Sequence, residues 1–346
     1  MATSICVLIP AKDERLVIGA TIKSILGAGM SVKDIYVVDD GSSDGTGDIA
    51  RSLGVSVLRN EVNVGKALSV KAAVKHFDLT NRYKFISMMD SDTLTHREYF
   101  SAMEAKFASN PTPAVVCGHP QSRPHNWVTA YRCFEYFMTH FVFRGGQANM
   151  GVVLVAPGCA ATYRSDVFAK LDWSNDTRVE DMDVTIQVHR KHLGRIVYAP
   201  KAIVYTQDPQ TVTDFTKQIL RWHGGTWQVG KKYKMLQGLQ RVDWEYKFMM
   251  IEGIVISAIF LSLPLWAIFW PKAIEAGLLM DFGILFVTSL AAAITDKRWD
   301  VLLCSPAFLL MRMIYCFVFL YAFVSVMLLK RPMHGWLSVK RYEEKA

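Results

Sequence analysis

Four short stretches of the 346-residue chain place carboxylates or large polar side chains at spacings that suit chemistry. The first, VVDDGSSDGT at 37–46, ends an apolar run with Asp39 and Asp40. Carboxylates at such a position can accept hydrogen bonds from the imide of a base or from a ribose. An Asx turn with a helix cap at Ser43 or Asp44 is the alternative, but it does not account for the doublet. The doublet therefore indicates a nucleoside-type pocket.

The second stretch, MMDSDT at 88–93, places Asp90 and Asp92 two residues apart after another apolar run. On an extended chain both carboxylates face the same side, so they can share one cation. Mg²⁺ or Mn²⁺ prefers oxygen ligands and leaves positions open for a diphosphate, whose charge it neutralises when the diphosphate leaves. A polar strand end is the alternative, because short Asp-x-Asp matches are common by chance.

Two predicted helix starts add a cation and a base. Lys66 follows a glycine, and its ammonium group with the first backbone N–H groups suits a phosphate; an exposed first-turn lysine is the alternative. RVEDMDV at 178–184 gathers three carboxylates, which helix N-termini favour without any function. The functional interpretation makes Glu180 or Asp181 a general base near a reacting hydroxyl. Asp183 is expected to be a cap or support residue.

The fourth stretch, KQILRWHGG at 217–225, brings Gln218, Arg221 and Trp222 within about one helical turn. An arginine can pair with a diphosphate and a tryptophan face can stack on a sugar ring. The two glycines that follow predict a chain turn close to the ligand. The alternative places the arginine and the tryptophan at a membrane interface.

The elements that must position these residues alternate along the first half of the chain. Short β-branched apolar runs predict buried strands at 4–11, 34–40, 55–60 and 84–90, with helical patterns near 15–28, 44–53 and 65–78. This alternation predicts β-α-β units and a mostly parallel sheet, whose ligands bind beyond the carboxyl ends of the strands. Both aspartate pairs lie at that edge. Later elements are predicted as a helix at 127–144, a strand at 151–164, a helix at 180–192, a strand at 195–206 and a helical segment at 211–234.

The second half of the chain predicts membrane attachment. Apolar stretches lie at 249–270, 277–294 and 301–329; the last is longer than one span needs, so a re-entrant or broken pair is an alternative there. Basic segments at 231–234 and 330–341 flank this region, and anionic lipid headgroups explain the net charge of +8 better than nucleic acid does. Six scattered cysteines without metal-binding spacing favour a reduced compartment. No cleavable signal peptide is predicted, which places the catalytic part in the cytosol.

The ordered set Asp-Asp-Gly, Asp-x-Asp, Glu-Asp and Gln-x-x-Arg-Trp, followed by apolar helices, resembles the processive family-2 glycosyltransferases, which synthesise cellulose, chitin, hyaluronan and poly-N-acetylglucosamine. The resemblance covers about residues 4–235. It implies an α/β fold of the GT-A type (Rossmann-like, with a mostly parallel sheet) followed by C-terminal transmembrane helices. The expected domains are a catalytic domain at 1–210, the Gln-x-x-Arg-Trp and interface helices at 211–247, a transmembrane region at 248–330 and a basic tail at 331–346.

The resemblance also implies roles for the residues that match its motifs. On the donor side, Asp40 would contact the base, Asp90 the nucleoside or ribose, and Lys66 the phosphates, with Asp92 and Asp90 holding Mg²⁺ or Mn²⁺. Asp181 would deprotonate the acceptor hydroxyl, with Glu180 as the adjoining catalytic carboxylate. Gln218, Arg221 and Trp222 would line the place where acceptor and diphosphate meet.

The function expected from this resemblance is inverting transfer of a sugar from a UDP-sugar to a growing β-linked polysaccharide. The sugar is expected to be N-acetylglucosamine, because the EDMD and QILRWHGG stretches look most like the poly-N-acetylglucosamine synthases. Transfer of one sugar to a polyprenyl phosphate or another lipid acceptor is the nearest alternative. A glycoside hydrolase and a non-catalytic nucleotide-sugar sensor are the others. The sequence departs from the family in having Val179 before Glu-Asp, where a threonine is usual, and in showing no membrane helix before the catalytic part. A polymer channel would then need a homo-oligomer or a partner membrane subunit. The expected location is the inner or plasma membrane, multi-pass, with the catalytic domain facing the cytosol.

Overall fold

The computed structural model describes residues 4–331 and 340–343. The chain divides into two compact units. The first unit consists of Met1–Gln121, His140–Gln207 and Arg341–Ala346, and the second of Ser122–Thr139 and Asp208–Lys340. Each unit is therefore assembled from segments that are distant in sequence.

A mixed sheet organises the first unit. Its strands are β1 Ile5–Ala11, β2 Ile35–Asp39, β3 Ser56–Arg59, β4 Phe85–Met88, β5 Thr93–Thr95, β6 Val115–Ser122, β7 Ala161–Arg164 and β8 Ile196–Thr206. The strand order is β3-β2-β1-β4-β7-β6-β8-β5. The four predicted strands of the first half are β1 to β4, and they pair in parallel, as expected. The antiparallel pairs β4–β7, β6–β7 and β5–β8 extend the sheet.

Helices of the first unit cover the sheet, and further helices form the second unit. They are α1 Ile18–Gly27, α2 Thr46–Ser52, α3 Lys66–His76, α4 Leu79–Arg82, α5 Tyr99–Phe107, α6 Trp127–Tyr136, α7 Arg144–Met150, α8 Ser165–Phe168, α9 Glu180–Arg190, α10 Val212–Lys232, α11 Arg241–Phe269, α12 Pro271–Thr295, α13 Trp299–Cys304 and α14 Phe308–Phe323. Short 3-10 turns lie at Val32–Asp34 and Ser305–Ala307, and wider π-type turns at Phe137–Phe143 and Val324–Leu328.

Alternate side chains of the central strands fill two apolar clusters. Cys6 and Leu8 of β1 belong to one cluster, and Val7 and Ile9 to the other. Successive side chains on a strand point to opposite faces, so each face of the sheet carries its own core. Such strands are apolar throughout, which is why their runs stand out in the sequence.

The strand predicted at 151–164 is wrong over most of its length. Only Ala161–Arg164 forms a strand, β7. The backbone N–H of Ala156 instead donates to the Thr185 hydroxyl at 2.8 Å, on α9. An apolar run whose N–H groups bond to a neighbouring side chain is buried as a loop, and periodicity alone does not distinguish it from a strand.

Within the described residues of the second unit, three helical runs are long and apolar enough to cross a membrane. They are Arg241–Phe269, Pro271–Thr295 and Trp299–Leu328, of 29, 25 and 30 residues. The third apolar stretch thus forms a single helical run, with a 3-10 turn at Ser305–Ala307. Close packing needs glycine at two points: a Cβ on Gly230 would overlap the Tyr246 hydroxyl, and one on Gly253 would lie 2.6 Å from the Phe319 ring.

Candidate active site

Lys66 is the central cation of the first unit's carboxylate cluster. It begins α3, and its Nζ lies 2.7 Å from Asp90 Oδ1 and 2.6 Å from Glu180 Oε1. Burial lowers the pKa of Lys66, but the two carboxylates more than offset this effect and raise the pKa well above its ordinary value. Lys66 therefore stays charged and joins the Asp-x-Asp stretch to the Glu-Asp stretch.

The 157–159 loop lies beside this cluster. A Cβ added to Gly158 would lie 3.2 Å from Lys66 Nζ and 3.7 Å from the Cβ of Asp181. The backbone N–H of Gly158 also donates to Asp181 Oδ2 at 3.3 Å. The glycine thus lets the backbone approach the cation and the proposed base together.

The adjoining acids at the start of α9 have separate partners. Glu180 pairs with Lys66, whereas Asp181 accepts the Gly158 N–H and, through Oδ1, the Met182 N–H at 2.8 Å. Asp183 is buried, and it accepts hydrogen bonds from the Thr177 hydroxyl and the Gln187 amide. Asp183 therefore supports the helix start, as the sequence predicts.

Asp40 uses its carboxylate to hold the loop before α3. Its Oδ1 accepts from the Val64 N–H at 2.8 Å and from the Asn60 amide at 2.9 Å, and its Oδ2 accepts from the Gly65 N–H at 2.8 Å. A carboxylate offers about four acceptor sites, so three of them are occupied within the protein. The structure thus gives Asp40 a loop-holding part beside the base contact that the resemblance implies.

The Asp-x-Asp aspartates lie in a turn, and each has its own cation. Asp90 pairs with Lys66, while Asp92 Oδ2 lies 2.6 Å from Nη1 of Arg341. The expectation that both lie on extended chain is wrong, because residues 91–92 form the turn that leads into β5. Asp90 and Asp92 therefore pair with different cations.

Arg341 also forms a bidentate ion pair with Glu14. Its Nε donates to Oε2 and its Nη2 donates to Oε1, each at 2.7 Å. The Gln207 amide fixes the next residue, because it bonds both the N–H and the carbonyl of Tyr342, at 3.0 and 2.8 Å. The sequence predicts that Arg341 faces lipid headgroups with the rest of segment 330–341. The structure instead pairs it with acids of the first unit; residues 332–339 of that segment lie outside the described residues.

The donor set of Asp90 and Asp92 suits a hard divalent cation. Among the described residues there is no group of three or more acidic, histidine or cysteine side chains that could hold a metal alone. Mg²⁺ is commonly bound by one or two carboxylates, with substrate phosphates and waters as the other ligands. Arg341 beside Asp92 shows that positive charge is favourable here. The residues therefore fit a metal that arrives with a diphosphate.

The Gln-x-x-Arg-Trp residues lie on one uninterrupted helix of the second unit. Gln218, Arg221 and Trp222 fall in the middle of α10, and all three are partly exposed. The chain turn expected at Gly224 and Gly225 is wrong, because α10 continues to Lys232 and buries both glycines. There they serve helix packing.

Sequence reasoning missed Arg132, which supports this motif within the second unit. Its guanidinium on α6 is 1% exposed. Nη2 donates to Gln218 Oε1 at 2.5 Å, and the guanidinium lies 4.7 Å from the centre of the Trp222 ring. The available signal was an arginine among aromatic residues with Glu135 three positions later, where the two form a 2.7 Å salt bridge.

Comparison with known proteins identifies relatives of this chain. Residues 6–172 match the family described as Glycosyl transferase family 2. The chain is similar to the poly-β-1,6-N-acetyl-D-glucosamine synthase of Staphylococcus epidermidis, 25% identical over 64% of this chain and 54% of that protein. The synthase of Staphylococcus aureus strain COL is 24% identical over the same shares. The chain thus spans about half the length of the curated relatives it matches.

A solved structure shares the fold. The chain resembles a mannosyltransferase from Pyrobaculum calidifontis, in complex with GDP-Man and Mn²⁺, with a TM-score of 0.63 at 16% identity over 89% of this chain and 87% of that one. A likeness at an identity of 16% shows that the two proteins share a fold and nothing more. Residues 6–172 thus carry a domain that matches Glycosyl transferase family 2, on a fold shared with that mannosyltransferase, and apolar helices long enough to span a membrane follow it.

Proposed function

We propose that this protein is a membrane-bound inverting glycosyltransferase that extends a β-linked polysaccharide from a UDP-sugar, with N-acetylglucosamine as the sugar transferred. The observation that carries the proposal is the junction of Lys66, Asp90, Glu180 and Asp181 around the glycine of the 157–159 loop. It combines a fixed cation for a diphosphate with a carboxylate beside it. The synthases to which the chain is similar support the choice of sugar and polymer.

In the proposed reaction, Asp181 accepts the proton of the acceptor hydroxyl as its oxygen attacks the anomeric carbon. The bond from that carbon to the diphosphate breaks from the opposite face, so the configuration inverts. Lys66 stabilises the negative charge of the departing diphosphate. A divalent cation bound at Asp90 and Asp92 would supply further neutralisation of that charge. The roles that the resemblance implies for Arg221 and Trp222, contact with the diphosphate and stacking on the acceptor sugar, remain part of the proposal.

The membrane setting belongs to the same proposal. The basic segment 231–234 precedes the first apolar helix, and Lys297 and Arg298 follow the second. Basic loops favour the cytosolic face. We therefore place the catalytic unit in the cytosol, at the inner or plasma membrane, where it meets a nucleotide sugar.

The experiment measures transfer by the full chain in lipid nanodiscs with Mg²⁺ or Mn²⁺. Donors would be UDP-N-acetylglucosamine, UDP-glucose, UDP-glucuronic acid and GDP-mannose, with nucleoside diphosphate release and product size as readouts. Asp181→Asn should abolish release, whereas Asp48→Asn, at an exposed pair with Arg51, should not.

Release from UDP-N-acetylglucosamine with a product ladder supports the proposal. A lipid product that carries a single sugar would show that the acceptor is a lipid and not a growing polysaccharide. Turnover of GDP-mannose alone would overturn the choice of donor, and wild-type activity retained in Asp181→Asn would overturn the proposed base.

A further inference from the structure

Arg132 carries a buried charge that no motif explains. It lies on α6, and its carboxylate partners in the second unit are Glu135 at 2.7 Å and Asp208 at 3.8 Å. The Tyr136 hydroxyl donates to Asp208 at 2.8 Å and so fixes that acid. Burying such charges costs free energy, and an apolar core of equal volume is often as stable. Stability alone therefore does not explain the cluster, and its contacts with neighbouring side chains have to be considered.

The surroundings favour charge on the guanidinium. Burial lowers the pKa of Arg132, but the nearby acids and Tyr136 more than offset this and raise the pKa above its ordinary value. Burial also raises the pKa of the Glu135 carboxyl, an effect that Arg132 opposes. Arg132 is thus a permanent donor, fixed on one side by acids and directed on the other toward α10.

The contact with Gln218 sets the polarity of its amide. A guanidinium has donors but no acceptor, so the atom that faces Arg132 must be the amide oxygen. The structure has this arrangement, with Oε1 at 2.5 Å from Nη2. The NH2 group of Gln218 is consequently turned away from Arg132, where it can donate to a ligand oxygen.

The contact with Trp222 fixes the ring in a similar way. The guanidinium lies 4.7 Å from the ring centre, a distance typical of a cation on an aromatic face. One face of the indole is thereby covered, and Phe215 on the same helix lies 4.6 Å from the same guanidinium. A lysine lacks the planar fork needed to hold an amide oxygen and a ring together.

We infer that Arg132 is a positioning residue for the acceptor side of the reaction. It holds Gln218 with its NH2 toward the sugar, as a donor to a hydroxyl oxygen, and holds Trp222 for stacking through its other face. This inference rests on the proposed function for what the acceptor is, but the positioning itself can be measured without substrate.

The first test uses 5-fluorotryptophan-labelled protein and ¹⁹F NMR. Trp222→Phe identifies the Trp222 resonance. Arg132→Lys keeps the charge, so the cluster should remain folded, and it should shift that resonance. The matched variant Arg298→Lys, at the pair with Asp300, should leave it in place. An unshifted Trp222 resonance in Arg132→Lys would overturn the inference even if no donor supports turnover.

The second test is a double-mutant cycle in sugar transfer. We expect Arg132→Lys and Gln218→Ala each to lower acceptor-dependent kcat/KM about tenfold or more, with donor binding within about twofold of wild type. The double variant should be no worse than the poorer single variant, as expected for residues that act together. Gln218→Glu keeps the Arg132 contact but loses the NH2 donor, so it should also lose acceptor use.

Losses that multiply in the double variant would show independent action and overturn the inference. Equal loss of donor and acceptor binding would indicate a general structural role instead. If the wild-type chain transfers no sugar, the proposed function fails, while the ¹⁹F result still decides the positioning.

Discussion

At the scale of single residues, the site depends on cations that each serve more than one partner. Lys66 links the Asp-x-Asp turn to the start of α9, because its ammonium lies within 2.7 Å of Asp90 and Glu180. Removing it would leave two acids close together without a counter-charge. Binding and stability are therefore coupled at this residue.

We predict that Lys66→Met weakens binding of a nucleoside diphosphate about tenfold or more, because the diphosphate loses a cation and meets two uncompensated acids. The variant should also unfold more easily, by about 3 kcal/mol, since one partner of a largely buried ion pair is missing. Calorimetric titration with UDP and a thermal melt would measure both effects.

Lys71→Met is the matched control, since Lys71 faces Asp172 at 3.8 Å with both side chains largely exposed. Unchanged UDP affinity in a folded Lys66→Met protein would contradict the phosphate role. A loss in Lys71→Met of equal size would show that net charge alone matters.

The sequence identified the residues with motifs and missed those that orient them. Lys66, Asp90 and Glu180 were predicted from their types and local positions, and the structure brings them together. Arg132 and Arg341 were missed, because their partners are distant in sequence. Gln218 lies 86 positions from Arg132, and Glu14 lies 327 positions from Arg341. A contact over such separations leaves no local pattern, since it is set by how helices and loops fold back on one another.

At the scale of elements, α10 packs against α14 through a buried histidine. His223 of α10 is buried against Tyr315 and Phe319, with ring centres 4.5 and 5.0 Å away. Burial, followed by the charge of Arg132, lowers the pKa of His223 to about 3. Protonation would therefore oppose this packing.

The stability of the folded chain depends on pH through His223. Between about pH 6.5 and pH 3 the unfolded chain binds a proton at this histidine that the folded chain does not. Stability should accordingly fall as the pH drops through this window, by up to about 1.4 kcal/mol per pH unit. His223→Phe should flatten that part of the profile of melting temperature against pH, measured in detergent from pH 4.5 to 7.5.

His76→Gln, at an exposed histidine of α3, is the control and should leave the slope intact. A wild-type slope retained in His223→Phe would show that another group causes the acid sensitivity.

The helices and strands themselves were largely predictable. The parallel strands β1 to β4 combine β-branched residues with burial on both faces, which leaves a strong local signal. The turn predicted at Gly224 and Gly225 was wrong, because tertiary packing overrode the low helix propensity of glycine. The loop before β7 misled because its apolar residues are buried without strand pairing.

At the scale of the whole molecule, the chain leaves the first unit after Gln207 and returns to it at Arg341. The returning arginine occupies the carboxylates of Asp92 and Glu14. Burial raises the pKa of Glu14, and the pairing with Arg341 counters this effect. A cation that binds Asp92 must therefore compete with a side chain of the same protein.

We predict that Arg341→Ala tightens Mn²⁺ binding, since the competing guanidinium is gone. The Arg341–Asp92 pair is at least as buried as the Lys66–Asp90 pair, so we expect the affinity to rise about tenfold, which corresponds to about 1.4 kcal/mol. Electron paramagnetic resonance of free Mn²⁺, with and without UDP, would measure it. Lys340→Ala, which removes an equal charge from the adjoining residue, should change the affinity much less. Weaker Mn²⁺ binding in Arg341→Ala would show that the arginine assists the metal.

One ion pair in the apolar region has a consequence for how the protein is made. Asp281 of α12 and Arg312 of α14 lie 2.7 Å apart, although both occupy helices apolar enough to enter a bilayer. A lone charge at the centre of an inserting helix costs about 2.5–3.5 kcal/mol. During synthesis Asp281 emerges 31 residues before its partner. α12 should therefore wait at the insertion machinery until α14 arrives, and the two should enter the lipid as a pair.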